Sequence, residues 1–146
     1  MFDHCIWYSI TDKILTDNIK ILSDYLKIKP LYPHITLKWY MDDKISNHIY
    51  LEIKNDKIPM FVKSGEPYQT KTDNFFALQQ DYFKINDCNR KYHISLAYRI
   101  DKEFTEDEIN FARKLIYPNI LNESQITVER WLCNCLDHSK WKLLNN

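Results

Sequence analysis

The chain has 146 residues, 45% of them apolar and 14% aromatic, with a single glycine and five prolines. That length suits one domain with a sizeable core, and that composition excludes a disordered or low-complexity chain. Lys+Arg and Asp+Glu balance at 20 each, which leaves no global field to hold long duplex nucleic acid or to coat an anionic membrane, so any nucleotide partner is expected to be small and locally held.

Residues 2 to 10, FDHCIWYSI, are rich in aromatic and β-branched side chains and predict a first strand. Thr11 and Asp12 then introduce a helix: Ile14, Leu15, Ile19, Leu22, Tyr25 and Leu26 recur at helical spacing over about 13 to 28, and Pro30 stops it. PHITLKW (33 to 39) is the next strand. Strict alternation puts His34, Thr36 and Lys38 on one face and Ile35, Leu37 and Trp39 on the other. HIYLEIK (48 to 54) fits a strand or a short helix and is expected to pair as a strand with PMFVKSG (59 to 65). NFFALQQ (74 to 80) is a further strand, and YHISLAY (92 to 98) repeats the earlier arrangement, with His93, Ser95 and Ala97 over Tyr92, Ile94, Leu96 and Tyr98. FTEDEI predicts a capping box, Thr105 as N-cap and Glu108 at the third helical position, with Phe104 able to staple onto Ile109, for a helix reaching about Tyr117. ITVERWLCNC and KWKLL, joined by DHSK, predict a terminal hairpin. The layout is α+β, one domain over 1–146, with a helix before the first histidine strand and another after the second.

Cys5, Cys88, Cys133 and Cys135 form no C-x-x-C pair, and the spacing of the last two suits neither a disulfide nor a zinc knuckle, so reduced, buried thiols are expected. No signal segment and no apolar run long enough for a membrane span is evident, which predicts a soluble protein of the cytoplasm, or of the host cytoplasm if it is viral.

The motif H-I-[ST]-L thus occurs twice, at His34–Leu37 and His93–Leu96, in strand context both times. Two imidazoles facing one cleft supply a proton acceptor and a proton donor near neutral pH, as concerted phosphodiester cleavage requires. Hydroxyls two residues on, Thr36 and Ser95, share the histidines' faces and can donate to the non-bridging phosphate oxygens. Such a mechanism needs no metal. On the final hairpin, Glu129 and Trp131 share a face, where Trp131 could stack a base and Glu129 accept from its edge, or the pair could be a core indole and a solvated carboxylate. One of Trp7 and Tyr8 faces the cleft if the first strand lines it. Arg90 and Lys91 are expected in a loop that attracts an anion, while His4, His48 and His138 lack a partner motif.

On these residues the chain resembles the 2H phosphoesterase superfamily, over nearly its whole length. The resemblance implies a LigT-like fold: two pseudo-symmetric lobes of mainly antiparallel sheet around a central cleft, helices outside, here about 1–65 and 66–146 with the terminal hairpin able to cross between them. It implies catalysis by His34 and His93, phosphate binding by Thr36 and Ser95, and no cofactor. The gap between NFFALQQ and YHISLAY is short where many members insert a helix, so the second lobe is expected to be trimmed, as in compact viral and anti-CBASS-like enzymes. The substrate classes implied are cyclic dinucleotides of the cGAMP type, preferred here because the ligand should be short, then 2',5'-oligoadenylates and RNA 2',3'-cyclic phosphates. Other classes remain open: a module that sequesters a nucleotide without turnover, and a zinc protein built on Cys133, Cys135 and a histidine. Oligomeric state is not legible.

Overall fold

The computed structural model describes residues 2–134 and 140–144. The chain runs β1 (Phe2–Ile10), α1 (Lys13–Leu26), β2 (His34–Met41), α2 (Asp43–Ile53), β3 (Phe61–Lys71), β4 (Phe76–Lys84), β5 (Asp87–Arg99), α3 (Glu106–Lys114), β6 (Ile120–Leu121), β7 (Ile126–Asn134) and β8 (Lys142–Leu143). The fold is α+β, with all strands in one antiparallel sheet of order β6-β3-β4-β5-β2-β1-β7-β8. Cys135, His138 and most of the expected DHSK turn lie outside the described residues, as does the side chain of Cys88. Among the described residues no helix is long and apolar enough to cross a membrane.

Helix α1 starts where Asp12 accepts from the Leu15 amide at 2.9 Å, and it ends at Lys27, whose left-handed backbone lets its amide cap the last turn. Its stripe Leu15, Ile19, Leu22 and Leu26 packs with Ile35, Leu78, Tyr82, Ile94, Leu96, Phe104 and Ala112 into the main core. Helix α3 has the expected capping box and stops at Lys114, short of Tyr117. Its Glu108 also takes both guanidinium arms of Arg99, at 2.8 and 2.7 Å, which holds the Glu108 carboxyl down at about 2.

One expectation is overturned. Residues 48 to 53 are not part of a strand paired with β3 but belong to α2, which Lys54 closes as C-cap and Asp42 opens as N-cap, its carboxylate accepting from the Ile45 amide at 2.8 Å. The inward stripe, Ser46, Ile49, Tyr50 and Ile53, has helical spacing but opens on a serine. Arg130 of β7 fastens that end, donating to Ser46 Oγ at 2.9 Å and to Asp43 at 2.7 Å. Arg130 pairs with Ile6 and therefore stands on the face of β1 that also carries Tyr8, which packs on the main core. The described α-helices, α1, α2 and α3, accordingly cover one face of the sheet, and the other face carries His34 and His93.

The short gap before the second histidine strand is filled by strand. β4 and β5 pair from Phe76 to Lys84, with register shifts between Leu78 and Gln79 and between Phe83 and Lys84, and Ile85 and Asn86 make the tight reversal, Asn86 with φ of 69°. Strands β5 and β2 meet at the middle of the sheet through one registered pair, Ile35 with Ile94. Four strands lie on either side of that seam. Residue 65 falls within β3, and β7 and β8 return to the side of β1 and β2.

Candidate active site

The seam sets the geometry of the site. Because Ile35 faces Ile94 in antiparallel register, His34 stands across from Ser95 and His93 across from Thr36. Both isoleucines are fully buried among the helix-side core residues, so the four polar side chains that flank them emerge together on the opposite face. They line one cleft with Leu37, Trp39, Arg90, Lys91, Tyr92 and Tyr98.

Two register irregularities decide what else enters the cleft. Trp7 pairs with Thr36 but Ile6 pairs with Lys38, so Leu37 is an extra residue on β2; Leu78 pairs with Ala97 but Gln79 with Ser95, so Leu96 is an extra residue on β5. A bulge reverses the alternation beyond it. Lys38 therefore joins the face of Ile6 instead of the face of His34, against the expectation from strict alternation, and Trp39 turns into the cleft mouth, 60% exposed. Ala97 is likewise buried in the helix-side core while Tyr98 lines the cleft, donating from its hydroxyl to Ser95 Oγ at 3.1 Å. Ser95 keeps its own O–H to donate elsewhere.

His34 is 7% exposed and lies flat on an indole: Trp7 is parallel to it with ring centroids 3.5 Å apart, and Trp141 stands edge-on at 5.6 Å. Its Nδ1 is 2.7 Å from the carbonyl of Tyr32, which fixes the proton on Nδ1 and leaves the lone pair on Nε2. Burial pushes its pKa down to about 4; the Tyr32 carbonyl opposes the shift and the His93 charge adds to it. His93 opens to solvent. Desolvation on its inward side lowers its pKa too, and the Asp81 carboxylate works in the opposite direction.

Trp131 is 4% exposed and stacks beneath Trp7 at 4.5 Å, with Tyr32 tilted against it at 4.9 Å, so it presents no open ring face to a base. Its Nε1 donates to Glu129 at 3.1 Å, and Glu129 is half-buried beside Trp7. Trp7 supports His34 from below. Tyr8 points to the helix side, edge-on to Phe61 at 5.7 Å, away from the cleft. Arg90 and Lys91 belong to β5 and line the cleft from a strand, where a loop was expected; Arg90 lies over the Tyr92 ring at 4.7 Å. His48 pairs with Glu52 on the exposed side of α2.

Sequence reasoning missed Trp39 and Tyr98, which the bulges at Leu37 and Leu96 turn into the cleft and which no residue type in either motif marks. It also missed Asp81, which follows polar Gln79 and Gln80 in a strand that is otherwise apolar or aromatic up to its last residue, Lys84. Cys133 lies near Cys5 under the tryptophans, and no cluster of three His, Cys, Asp or Glu side chains that could hold a metal ion occurs among the described residues. No protein-family model matches the chain, and comparison with curated proteins and with solved structures returned no match.

Proposed function

We propose that the chain is a metal-independent phosphodiesterase of the 2H type, acting on a small nucleotide that carries a ribose hydroxyl beside the scissile phosphate. One observation carries the reading: the Ile35–Ile94 register sets each motif's histidine opposite the other motif's hydroxyl in a single cleft. On this reading a phosphate seated in the cleft meets both imidazoles, with the Thr36 and Ser95 hydroxyls and the Arg90 and Lys91 cations for its non-bridging oxygens. His34, neutral at physiological pH with Nδ1 engaged by a carbonyl, is suited to take up a proton at Nε2.

On this reading the two sets of four strands are related halves of a LigT-like fold, and the bulge at the leucine of each motif supports it. The reacting pair attacks phosphorus through the ribose oxygen, giving a 2',3'-cyclic phosphate that water can then open. Trp39, exposed at the mouth, is the aromatic surface for a base. Cyclic dinucleotides of the cGAMP type are the preferred substrate, as short ligands for a chain without net charge.

The test is incubation in EDTA with cyclic dinucleotides, 2',5'-oligoadenylates and RNA ending in a 2',3'-cyclic phosphate, products being separated by mass. Turnover of one class, with a cyclic phosphate or the monoester derived from it as product, is the expected result. Binding of a nucleotide without product would instead make the chain a sequestering module.

A further inference from the structure

The two histidines stand in opposite surroundings. His34 is packed on indole, and its Nδ1 proton is committed to a main-chain carbonyl. His93 stands beside a carboxylate: Asp81 of β4 is its registered partner, so the two side chains leave adjacent strands on the same face. Asp81 is 8% exposed and is held from below. The Tyr68 hydroxyl lies 2.9 and 3.0 Å from its two oxygens, and the Gln79 amide donates to it at 3.5 Å and to Tyr68 at 2.8 Å.

Tyr68 reaches Asp81 because β3 is irregular between Ser64 and Tyr68. There Gly65, the chain's single glycine, takes φ of +69°, and Gln80 ties the Ser64 and Gly65 carbonyls from the other face at 3.1 and 3.0 Å. A carboxylate offers about four acceptor positions, so one hydroxyl and one amide leave room for an imidazolium N–H. The charged and ionisable groups facing His93 are Asp81 on β4, Tyr68 on β3, His34 across the seam, and Arg90 and Lys91 on β5 itself, with Lys91 Nζ 4.0 Å from Asp81.

We propose that Asp81, held by Tyr68 and Gln79, is the positioning residue that makes His93 the proton donor of the pair and leaves His34 the acceptor. The proposal rests on the phosphodiesterase reading above. In the step it describes, the ribose hydroxyl gives its proton to His34 Nε2 as its oxygen bonds to phosphorus. The bond from phosphorus to the departing oxygen breaks, and His93 gives that oxygen its proton. His34 ends charged and His93 neutral, and exchange with water, or hydrolysis of the cyclic phosphate in the reverse sense, restores both. No further reactant is required.

The leaving group supplies the test. A uridine 3'-(4-nitrophenyl phosphate) expels nitrophenolate, which departs without a proton. His93→Ala and Asp81→Asn should therefore keep most of the parent's rate on this ester while losing about 10²-fold or more and about 10-fold or more, respectively, on the natural substrate class. His34→Ala should lose both activities. In kcat/KM against pH, Asp81→Asn should move the basic limb to lower pH by about one unit, a shift of 1.36 kcal/mol, and leave the acidic limb in place; Asp81→Glu should restore part of that displacement.

Rescue of His34→Ala instead of His93→Ala would overturn the assignment, and so would a basic limb unmoved in Asp81→Asn. Should Asp81→Asn not fold, the parent decides by NMR titration of labelled histidine: His93 must titrate above His34, and the reverse order ends the proposal. A parent that turns over neither the ester nor any member of the substrate panel removes the phosphodiesterase reading itself, and the donor role with it.

Discussion

His34 and His93 could be chosen from the sequence because a four-residue pattern recurred. If the phosphodiesterase proposal holds, replacing either with alanine should cost on the order of 10² to 10⁴ in kcat on whichever substrate class is turned over, the usual contribution of a positioned acid or base. Trp39 and Trp131 could not be told apart that way, since both are indoles in strands. The bulge at Leu37 turns the first toward solvent, and the tryptophan stack buries the second. On the proposed function, Trp39→Ala should weaken nucleotide binding by roughly 1 to 3 kcal/mol with an unchanged melting temperature. Trp131→Ala should lose about 3 to 5 kcal/mol of stability, read by denaturant unfolding, and disturb His34 indirectly, through Trp7 and Tyr32. His34 also couples stability to pH. Its folded pKa of about 4 lies below the unfolded 6.5, so the unfolded chain binds the extra proton between those values. Stability should fall on acidification through that window, and His34→Phe, which keeps a ring on Trp7 but cannot ionise, should flatten the fall in thermal melts.

At the level of elements, legibility followed the strength of the local signal. Helix α3 was written plainly, with Thr105 as its cap and three acidic residues, Glu106, Asp107 and Glu108, in its first turn. Thr105→Ala should cost about 1 kcal/mol, as a lost N-cap does. Glu108→Ala should cost more, roughly 1.5 to 3 kcal/mol, because the buried Arg99 loses a two-armed charged partner. The Glu108 contribution should disappear as pH falls from about 4.5 towards 2, since its carboxyl is held at the lower value in the fold. Helix α2 was misread for a reason visible in its packing. It is secured by Arg130 on Ser46 and Asp43, a contact between residues far apart in the chain, and its short apolar stripe resembles half of a strand pair. Neither bulge announced itself through glycine, the residue that usually marks one, and alternation was therefore carried two residues too far on both histidine strands.

For the molecule as a whole, the order of eight strands exceeds what local patterns encode, because it depends on which distant strands find each other. The pairing of β1 with β7 and the union of β2 with β5 were not written in any hydrophobic period. The β2–β5 seam is also the thinnest part of the sheet, one registered pair where β4 and β5 remain together along their length. Amides of β2 and β5 that face the seam should exchange with deuterium sooner than those that β5 shares with β4. Ile94→Ala, which empties a fully buried site under that seam, should cost roughly 2 to 5 kcal/mol and, if the proposed activity holds, depress turnover beyond the loss of folded protein, since both histidines take their positions from it.

The strand order also sets a schedule for the nascent chain. β3, β4, β5 and β6, with His93 among them, come from one stretch between residues 61 and 121, and can pair as they leave the ribosome. The His34 side is different: β1 and β2 emerge early and wait for β7, whose Trp131 is made nearly a hundred residues after His34. Until then the Trp7 ring that carries His34 lacks its backing, so the surroundings of His34 should be completed only after β7 has been made, later than those of His93.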